Sequence, residues 1–470
     1  MAASSDQTSI NVLLVPFPVQ GHINPLLQFG KRLASHGGVR CTLAATRFVA
    51  NSTRPTPSSV HVAVFSDGCD GGGPDEVGGM GAPYYERLES AGSETLDALL
   101  ASESERGRPV NVVVYDTFLP WARRVARRRG AACAAFLTQT CAVDILYAHA
   151  WAGRVPPPPL LRPEDVRGLD GLSCRLEVGD LPTFLTDASY PPSFRELLVN
   201  QFLGLDDADH VLVNSFHDLE LQEADYMAST WRAKMVGPTV PSAFLDNRLP
   251  DDVSYGIHLH TPVTAECKAW LDAQRPRSVL YVSFGSMASL GHDQMSEVAE
   301  GLYGSGKPFL WVVRATETAK LPEGFADKAK ARGLIVPWCP QLEVLAHPSV
   351  GCFMTHCGWN STVEALSAGV PMVAMPNWSD QTTNAKYIQD VWRVGVRVRP
   401  DAKGVVRSEE VERRVREVME GEMREGFRMR ALEWSKKAKK SMSEGGTSDT
   451  NISDFLSSFR RNTTCATQAN

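Results

Sequence analysis

Two short, nearly unbroken apolar runs interrupt a chain that otherwise mixes polar and apolar positions. They are residues 11–17, Asn-Val-Leu-Leu-Val-Pro-Phe, and residues 278–284, Ser-Val-Leu-Tyr-Val-Ser-Phe. Such a run without alternation marks a strand buried on both faces, and each is followed by a turn and a segment of helical spacing. Further strand-like segments follow each one. In the first half, 110–115 leads into a helical pattern over 121–129, and 210–214 comes later. In the second half, 309–313, 333–336, 351–355 and 371–375 read as strands separated by helical stretches. This alternation predicts βαβ units and parallel sheets, and two such sets predict an α/β chain of two Rossmann-like domains.

The boundary falls where periodicity lapses. Residues 242–262 are rich in Pro, Asp, Asn and His and read as a linker between a first domain over 1–241 and a second over 263–448. A charged helix is expected after Ser408, with that serine as N-cap and two glutamates in its first turn. A last helix is expected over 449–459, before a frayed polar tail at 460–470. The Gly- and Asp-rich stretch 66–81 reads as a mobile surface loop. Leu96, Leu99 and Leu100 recur at helical spacing, as core or as pocket wall.

Composition narrows the function classes. A chain of 470 residues is too long for one hydrophobic core, which fits two domains. A net charge of -6 argues against a nucleic-acid partner, and an anionic ligand would have to be held by local dipoles. The ten cysteines follow no regular spacing and read as reduced core thiols. Cys352, His356 and Cys357 lack a second ligand pair at matching spacing, so no metal site is expected. The polar opening lacks a basic region and no stretch of about 20 apolar residues occurs, so neither a signal peptide nor membrane insertion is expected, and the expected address is cytoplasmic. Triplets such as Asn51-Ser52-Thr53 then carry no glycan.

Chemistry concentrates between Trp338 and Gln381. A predicted strand ends at His356-Cys357-Gly358 and a helix opens near Trp359-Asn360-Ser361. Glycine lets the backbone approach a ligand closely, and a helix N-terminus offers free N–H groups and a positive dipole end, which together suit a diphosphate. His356, Asn360 and Ser361 add side-chain donors. Glu364, one turn on, is spaced to accept from ribose hydroxyls, as an acidic residue does in dinucleotide folds.

The whole segment 338–381 resembles the 44-residue signature of plant secondary-product UDP-glycosyltransferases, without a gap. The resemblance extends to Pro18-Val-Gln-Gly-His-Ile-Asn-Pro25, Tyr115-Asp116 and Val282-Ser-Phe-Gly-Ser286. It implies the GT-B arrangement: two facing Rossmann-like domains, an active site in the cleft between them, and a C-terminal helix crossing back to the first domain. It further implies that Trp338 stacks on uracil, that the backbone at Cys339 reads the base edge, and that Gln341 and Glu364 hold the ribose. Ser286, His356, Asn360 and Ser361 would bind the diphosphate. Trp359, Asp380 and Gln381 would line the sugar, with Thr138 touching it from the first domain. Gln381 resembles the glucose-using members, and Ser286 stands where many members have threonine. The acceptor pocket would come from loops of the first domain, around Val19, 117–121, 138–144 and 182–194, with Val19, Gln20, Phe118 and Asp144 among its lining.

His22 follows the first predicted strand, where open α/β sheets place their ligands, and Asp116 ends another strand of the same domain. An imidazole with an ordinary pKa near 6.5 can take a hydroxyl proton, while a carboxylate behind it fixes the tautomer. The family uses this same dyad. The expected reaction is therefore an inverting transfer of glucose from UDP-glucose, with His22 as base and Asp116 behind it. The acceptor would be a small lipophilic molecule bearing a hydroxyl or a carboxyl group, and the product a β-glucoside or a glucose ester. No metal is required, and the chain is expected to act as a monomer.

Two other readings compete. A dinucleotide-dependent oxidoreductase would need G-x-G-x-x-G after the first strand, where only Gly21 is found. A sugar-nucleotide-binding protein without catalysis would not need both His22 and Asp116. Gly301-Leu-Tyr-Gly-Ser-Gly-Lys307 mimics a phosphate-binding loop, but Pro308 replaces the Ser/Thr and the element order is reversed. The arginines of 123–129 and the lysines of 436–440 read as solvated helix faces.

Overall fold

In the computed structural model, which describes residues 9–53, 58–257 and 261–466 (side chains to residue 460), the apolar runs become the central strands of two parallel sheets. The first sheet contains β1 (Ile10–Val15), β2 (Val39–Thr46), β3 (Val60–Phe65), β4 (Val112–Asp116), β5 (Ala132–Leu137), β6 (His210–Val213) and β7 (Lys234–Met235), in the order β3-β2-β1-β4-β5-β6-β7. The second contains β8 (Val279–Ser283), β9 (Phe309–Val312), β10 (Gly333–Val336), β11 (Val350–Thr355), β12 (Met372–Ala374) and β13 (Gly395–Arg397), in the order β10-β9-β8-β11-β12-β13. Helices cover both faces of each sheet, so β4 and β8 are buried at every residue, as their unalternating sequences require.

Both orders reverse direction once, between β1 and β4 and between β8 and β11. At such a switch point the flanking crossovers leave on opposite faces, and a crevice opens beyond the carboxyl ends of the two strands. The registers Val15 with Tyr115 and Ser283 with Thr355 bring the loops after these four strands to two facing sheet edges.

The halves are stitched together by polar groups. Thr382 and Thr383 donate to the carbonyls of Leu181 and Asp180, each at 2.6 Å, and Tyr387 donates to Glu223 at 2.6 Å. The final helix, Thr447–Ala466, returns to the first sheet. Ser448 and Asn451 donate to the carbonyls of Gly237 and Met235, and Phe455 packs on Phe29.

Several details differ from the sequence reading. The final helix runs past 459 to Ala466, because Phe455 and Phe459 continue its apolar face against His210; residues 467–470 of the expected tail lie outside the described residues. Ser408 is the first helical residue, with Arg407 as N-cap, and its backbone N–H is met by Glu297 instead. The stretch 66–81 contains a 3-10 turn, Gly73–Val77, tied down by Ser66–Asp70 and Asp67–Tyr84 hydrogen bonds. Residues 242–257 of the expected linker pack on the first domain, and 258–260 lie outside the described residues. The glycine-rich 301–307 segment joins a helix to β9, and Arg124 and Arg129 pair with Glu89 and Asp97 on the neighbouring helix.

Candidate active site in the interdomain cleft

The first switch point is built by α1 (Gln20–Ala34), which starts at once after the β1 loop and presents His22 in its first turn. Asp116 closes the neighbouring β4, so the two side chains meet at one sheet edge. His22 Nδ1 lies 2.6 Å from Asp116 Oδ2, and Oδ1 of the same carboxyl accepts from the Phe118 backbone N–H at 3.0 Å. Asp116 is sealed from solvent, while the His22 side chain is 16% exposed. With Nδ1 engaged by the carboxyl and 3.3 Å from Thr138 Oγ1, Nε2 is left as the nitrogen on the cavity side. Phe17 and Phe118, in contact with each other, pack on one side of the imidazole, with centroids 5.5 and 4.6 Å away.

The second switch point faces it. Gly285 follows β8 at φ 78°, and a Cβ there would stand 2.7 Å from His356 Nε2; one on Gly358 would stand 2.5 Å away. The two glycines are needed because the imidazole lies between them. Burial pushes the His356 pKa down to about 4, so near neutral pH it is an uncharged ring with one N–H to donate. The helix Trp359–Ala368 opens beside it, its first N–H groups unpaired by geometry. Ser361 and Glu364 sit on its inner side and are linked through Gln341, which donates to Ser361 Oγ at 3.0 Å and to Glu364 Oε2 at 2.6 Å. Tyr281 orients that amide, donating to Gln341 Oε1 at 2.9 Å, and lies 3.3 Å from the Cys339 thiol. Burial raises the Glu364 carboxyl to about 7, against the bonds from Gln341 and Tyr255.

Asp380 and Gln381 stand where a third loop enters the cleft. Burial raises Asp380 to about 6, opposed by Asn384, whose amide donates to it at 2.7 Å. Gln381 Oε1 accepts from the backbone N–H groups of Asn377 and Trp378 at 2.9 and 3.1 Å, which turns its NH2 toward the cavity. Two further residues join the halves: the Trp359 indole donates to the Asn214 carbonyl at 2.7 Å, and Asn360 Nδ2 donates to the Gly21 carbonyl, next to His22, at 2.8 Å.

All these side chains except the sealed Asp116 and Asn384 line one cavity of about 620 Å³, together with Ser286, Trp338, Val19, Gln20 and Phe118. Asp144 does not, which corrects the expectation for the acceptor pocket. It lies on a helix, Cys141–Trp151, that is buried at every position but its last, and neither of its carboxyl oxygens has a hydrogen-bond partner. Burial, with Glu220 and Asp380 nearby, holds its carboxyl well above the usual carboxylate range.

Sequence reasoning missed Asn384, Tyr255, Tyr281 and Tyr85; the loop 182–194, expected at the acceptor pocket, supplies Phe184 and Phe194 to the cavity wall, and Trp378 meets them from the second domain. Phe184 stacks on Phe194 at 5.2 Å and meets Trp378 edge-on at 5.5 Å. Asn384 carried a signal, one helical turn after Asp380; Tyr85 carried none. The cavity has no lysine or arginine among its described lining residues. No group of three or more His, Cys, Asp or Glu side chains among the described residues could hold a metal ion.

Comparison with known proteins gives the same picture from another direction. Residues 222–433 match the family described as "UDP-glucoronosyl and UDP-glucosyl transferase", and residues 8–56 match a glycosyltransferase N-terminal domain. UDP-glycosyltransferase 79 of Oryza sativa subsp. japonica is 50% identical over 458 residues, covering 95% of this chain and 96% of its own. The crystal structure of Os79 from O. sativa with UDP superposes with a TM-score of 0.92 at 50% identity, covering 95% of this chain and 100% of the other. That of Os79 with U2F and a trichothecene gives 0.89 at 50% identity and the same coverage.

Proposed function

The chain belongs to the plant UDP-glycosyltransferase family, an enzyme moving a glycosyl group from a UDP-sugar to a small acceptor, and we propose that it makes β-glucosides by inverting transfer of glucose from UDP-glucose to a hydroxyl of a neutral, lipophilic acceptor. The observation that carries this reading is the His22–Asp116 pair, 2.6 Å apart and facing the helix end that opens at Trp359 across one cavity.

In this mechanism UDP lies along the second domain. Trp338 stacks on the base, the backbone at Cys339 reads its edge, and Glu364 and Gln341 hold the ribose. The diphosphate meets the N–H groups at the start of the helix Trp359–Ala368, with Ser286, His356 and Ser361 as neutral donors. These take up the negative charge that develops as UDP leaves, so the reading requires no metal. Asp380 and the Gln381 amide hold the sugar hydroxyls. His22 Nε2 removes the acceptor's proton while its oxygen attacks the anomeric carbon opposite UDP, and Asp116 stabilises the imidazolium that forms. One displacement at that carbon turns an α-linked donor into a β-linked product.

The acceptor class follows from the lining. Aromatic side chains favour a ring system, and the described lining residues include no lysine or arginine to pair with a carboxylate acceptor. The trichothecene bound to the rice relative is consistent with a neutral multi-ring acceptor. The test is turnover of UDP-glucose with a matched panel of phenols, alicyclic alcohols and carboxylic acids, read by mass spectrometry, with the anomeric proton coupling of each product. An α-linked product, or a clear preference for acids, would overturn the proposal.

A further inference from the structure

Residues 242–257 are bolted to α1 rather than hung between the domains. Lys31 Nζ lies 2.8 Å from Asp252 Oδ1 and Arg32 Nη2 lies 2.8 Å from Asp246 Oδ1, with all four side chains at most 10% exposed. Gln28 also donates to Asp252, and Gln20 Nε2 donates to the Ile257 carbonyl at 3.0 Å. Every one of these anchors sits on the helix that presents His22. The anchored segment delivers Tyr255 into the cleft, where its hydroxyl donates 2.8 Å to Glu364 Oε1 on the second domain.

Glu364 thus has one donor on each oxygen: Tyr255 on Oε1 and Gln341 on Oε2. A carboxylate offers about four acceptor sites, so capacity for sugar hydroxyls remains. A carboxylate this buried keeps its charge only where donors are supplied. Gln341 comes from the same domain as Glu364; Tyr255 comes from the segment fastened to the first domain. We infer that Tyr255 is a positioning residue of the UDP-sugar site, braced on α1 so that its hydroxyl holds the Glu364 carboxylate in place for the ribose. This rests on the reading of Glu364 as the ribose acceptor.

The consequence is a pH signature. The groups facing Glu364 are Gln341, Tyr255 and, behind Gln341, Tyr281 and Cys339; beyond Tyr255 lies Asp252, paired with Lys31. Burial pushes the two phenols and the thiol up, so they stay neutral where Glu364, at about 7, titrates. Removing the Tyr255 hydroxyl takes away a donor to the ionised form, which moves the Glu364 titration to higher pH. An affinity that needs the ionised form is then weakened most below neutrality and recovers in alkali.

The experiment is calorimetric titration of UDP between about pH 6.5 and 9 on the full chain and on Tyr255→Phe, Glu364→Gln and the double variant, with melting curves to confirm folding. Tyr255→Phe keeps the ring and is expected to bind UDP about 5- to 20-fold more weakly near pH 6.5, with the deficit shrinking toward pH 9. In the Glu364→Gln background the same change should cost less than about twofold, because the partner it acts through is gone. A deficit equal at every pH, full additivity in the double variant, or no deficit where Glu364→Gln has one would each overturn the role of Tyr255. If Glu364→Gln itself binds UDP as tightly as the unaltered chain, the ribose reading fails first, and the inference with it.

Discussion

Replacing Asp116 by asparagine exchanges one oxygen for an NH2 group at a site with no room to rearrange. The side chain is sealed from solvent, one oxygen accepts from the Phe118 N–H at 3.0 Å, and the other faces His22 Nδ1 at 2.6 Å. The Phe118 N–H must keep an oxygen opposite it, because a buried donor facing another donor costs about 1–3 kcal/mol. The new NH2 therefore turns to His22 and forces Nδ1 to accept. That puts the imidazole proton on Nε2, the nitrogen facing the cavity, which then cannot take a proton from the acceptor. Loss of the charge-assisted bond removes about 1.5–3 kcal/mol, and the wrong tautomer adds to it. Together they should lower kcat/KM on a phenol by about 10²- to 10⁴-fold. A carboxylate, whose ordinary pKa is about 4, has no proton to lose at neutral pH and should suffer less than about tenfold. The assay compares kcat/KM on a matched phenol and benzoate near pH 7.5, with UDP affinity unchanged in the same variant. A loss below about threefold on the phenol, or equal losses on both acceptors, would refute the tautomer argument.

His22→Ala should nearly abolish transfer to the phenol, and adding Asp116→Asn to it should cost less than about twofold more, since the carboxyl acts through the imidazole; kinetics of the double variant check this. Gln381→His replaces an amide whose oxygen is pinned by two backbone N–H groups, and should shift competition between UDP-glucose and UDP-galactose several-fold toward galactose, read by product mass. Gly285→Ala demands φ 78° of a residue with a Cβ and sets that atom 2.7 Å from His356, so it should cost about 1–3 kcal/mol in chemical denaturation and weaken UDP binding. Glu364→Gln should stabilise the ligand-free protein increasingly as pH rises. Glu364 titrates at about 7 in the fold against an ordinary 4.5, so the ionised carboxyl is a folding cost that is absent below about pH 4.5 and full above about 7. Removing it should raise stability by up to about 3 kcal/mol at pH 8 relative to pH 4.5, as followed by melting across that range.

What could be read from the chain alone was whatever is contiguous in it. A parallel strand with helices on both faces must be apolar at nearly every position, so β1, β4, β8 and β11 declared themselves without any tertiary information. The donor side of the cleft was legible for a related reason. His356, Asn360, Ser361 and Glu364 flank one strand-to-helix connection, and strand ends in a parallel sheet fall at one edge whatever the rest does; Trp338, Gln341, Asp380 and Gln381, on the connections before and after it, were reached through the resemblance to the family signature. His22 and Asp116 obeyed the same rule, because β1 and β4 flank the switch point.

The fold alone decided what depends on which face of an element looks inward. Strand β3, Val-His-Val-Ala-Val-Phe, lies at the sheet edge with only its first and last residues buried, so the exposure of Val62 and Val64 could not be read from its apolar sequence. The helix Cys141–Trp151 is enclosed on all sides, so helical periodicity has no polar face by which to orient Asp144, and the reading placed in the pocket a carboxyl that lies sealed behind it. The aromatic wall of the cavity joins Phe184 and Phe194, whose loop was expected there, to Tyr85 and Trp378 from distant segments, with no spacing rule to link them. Tyr255 sits in a stretch whose Pro, Asp and Asn content reads as a plain connection. Hydrogen bonds and buried ion pairs to Gln20, Gln28, Lys31 and Arg32 turn that stretch inward and carry its phenol to Glu364. Local periodicity reports how much of an element is buried; which partner it is buried against is set by packing between residues that the sequence leaves far apart.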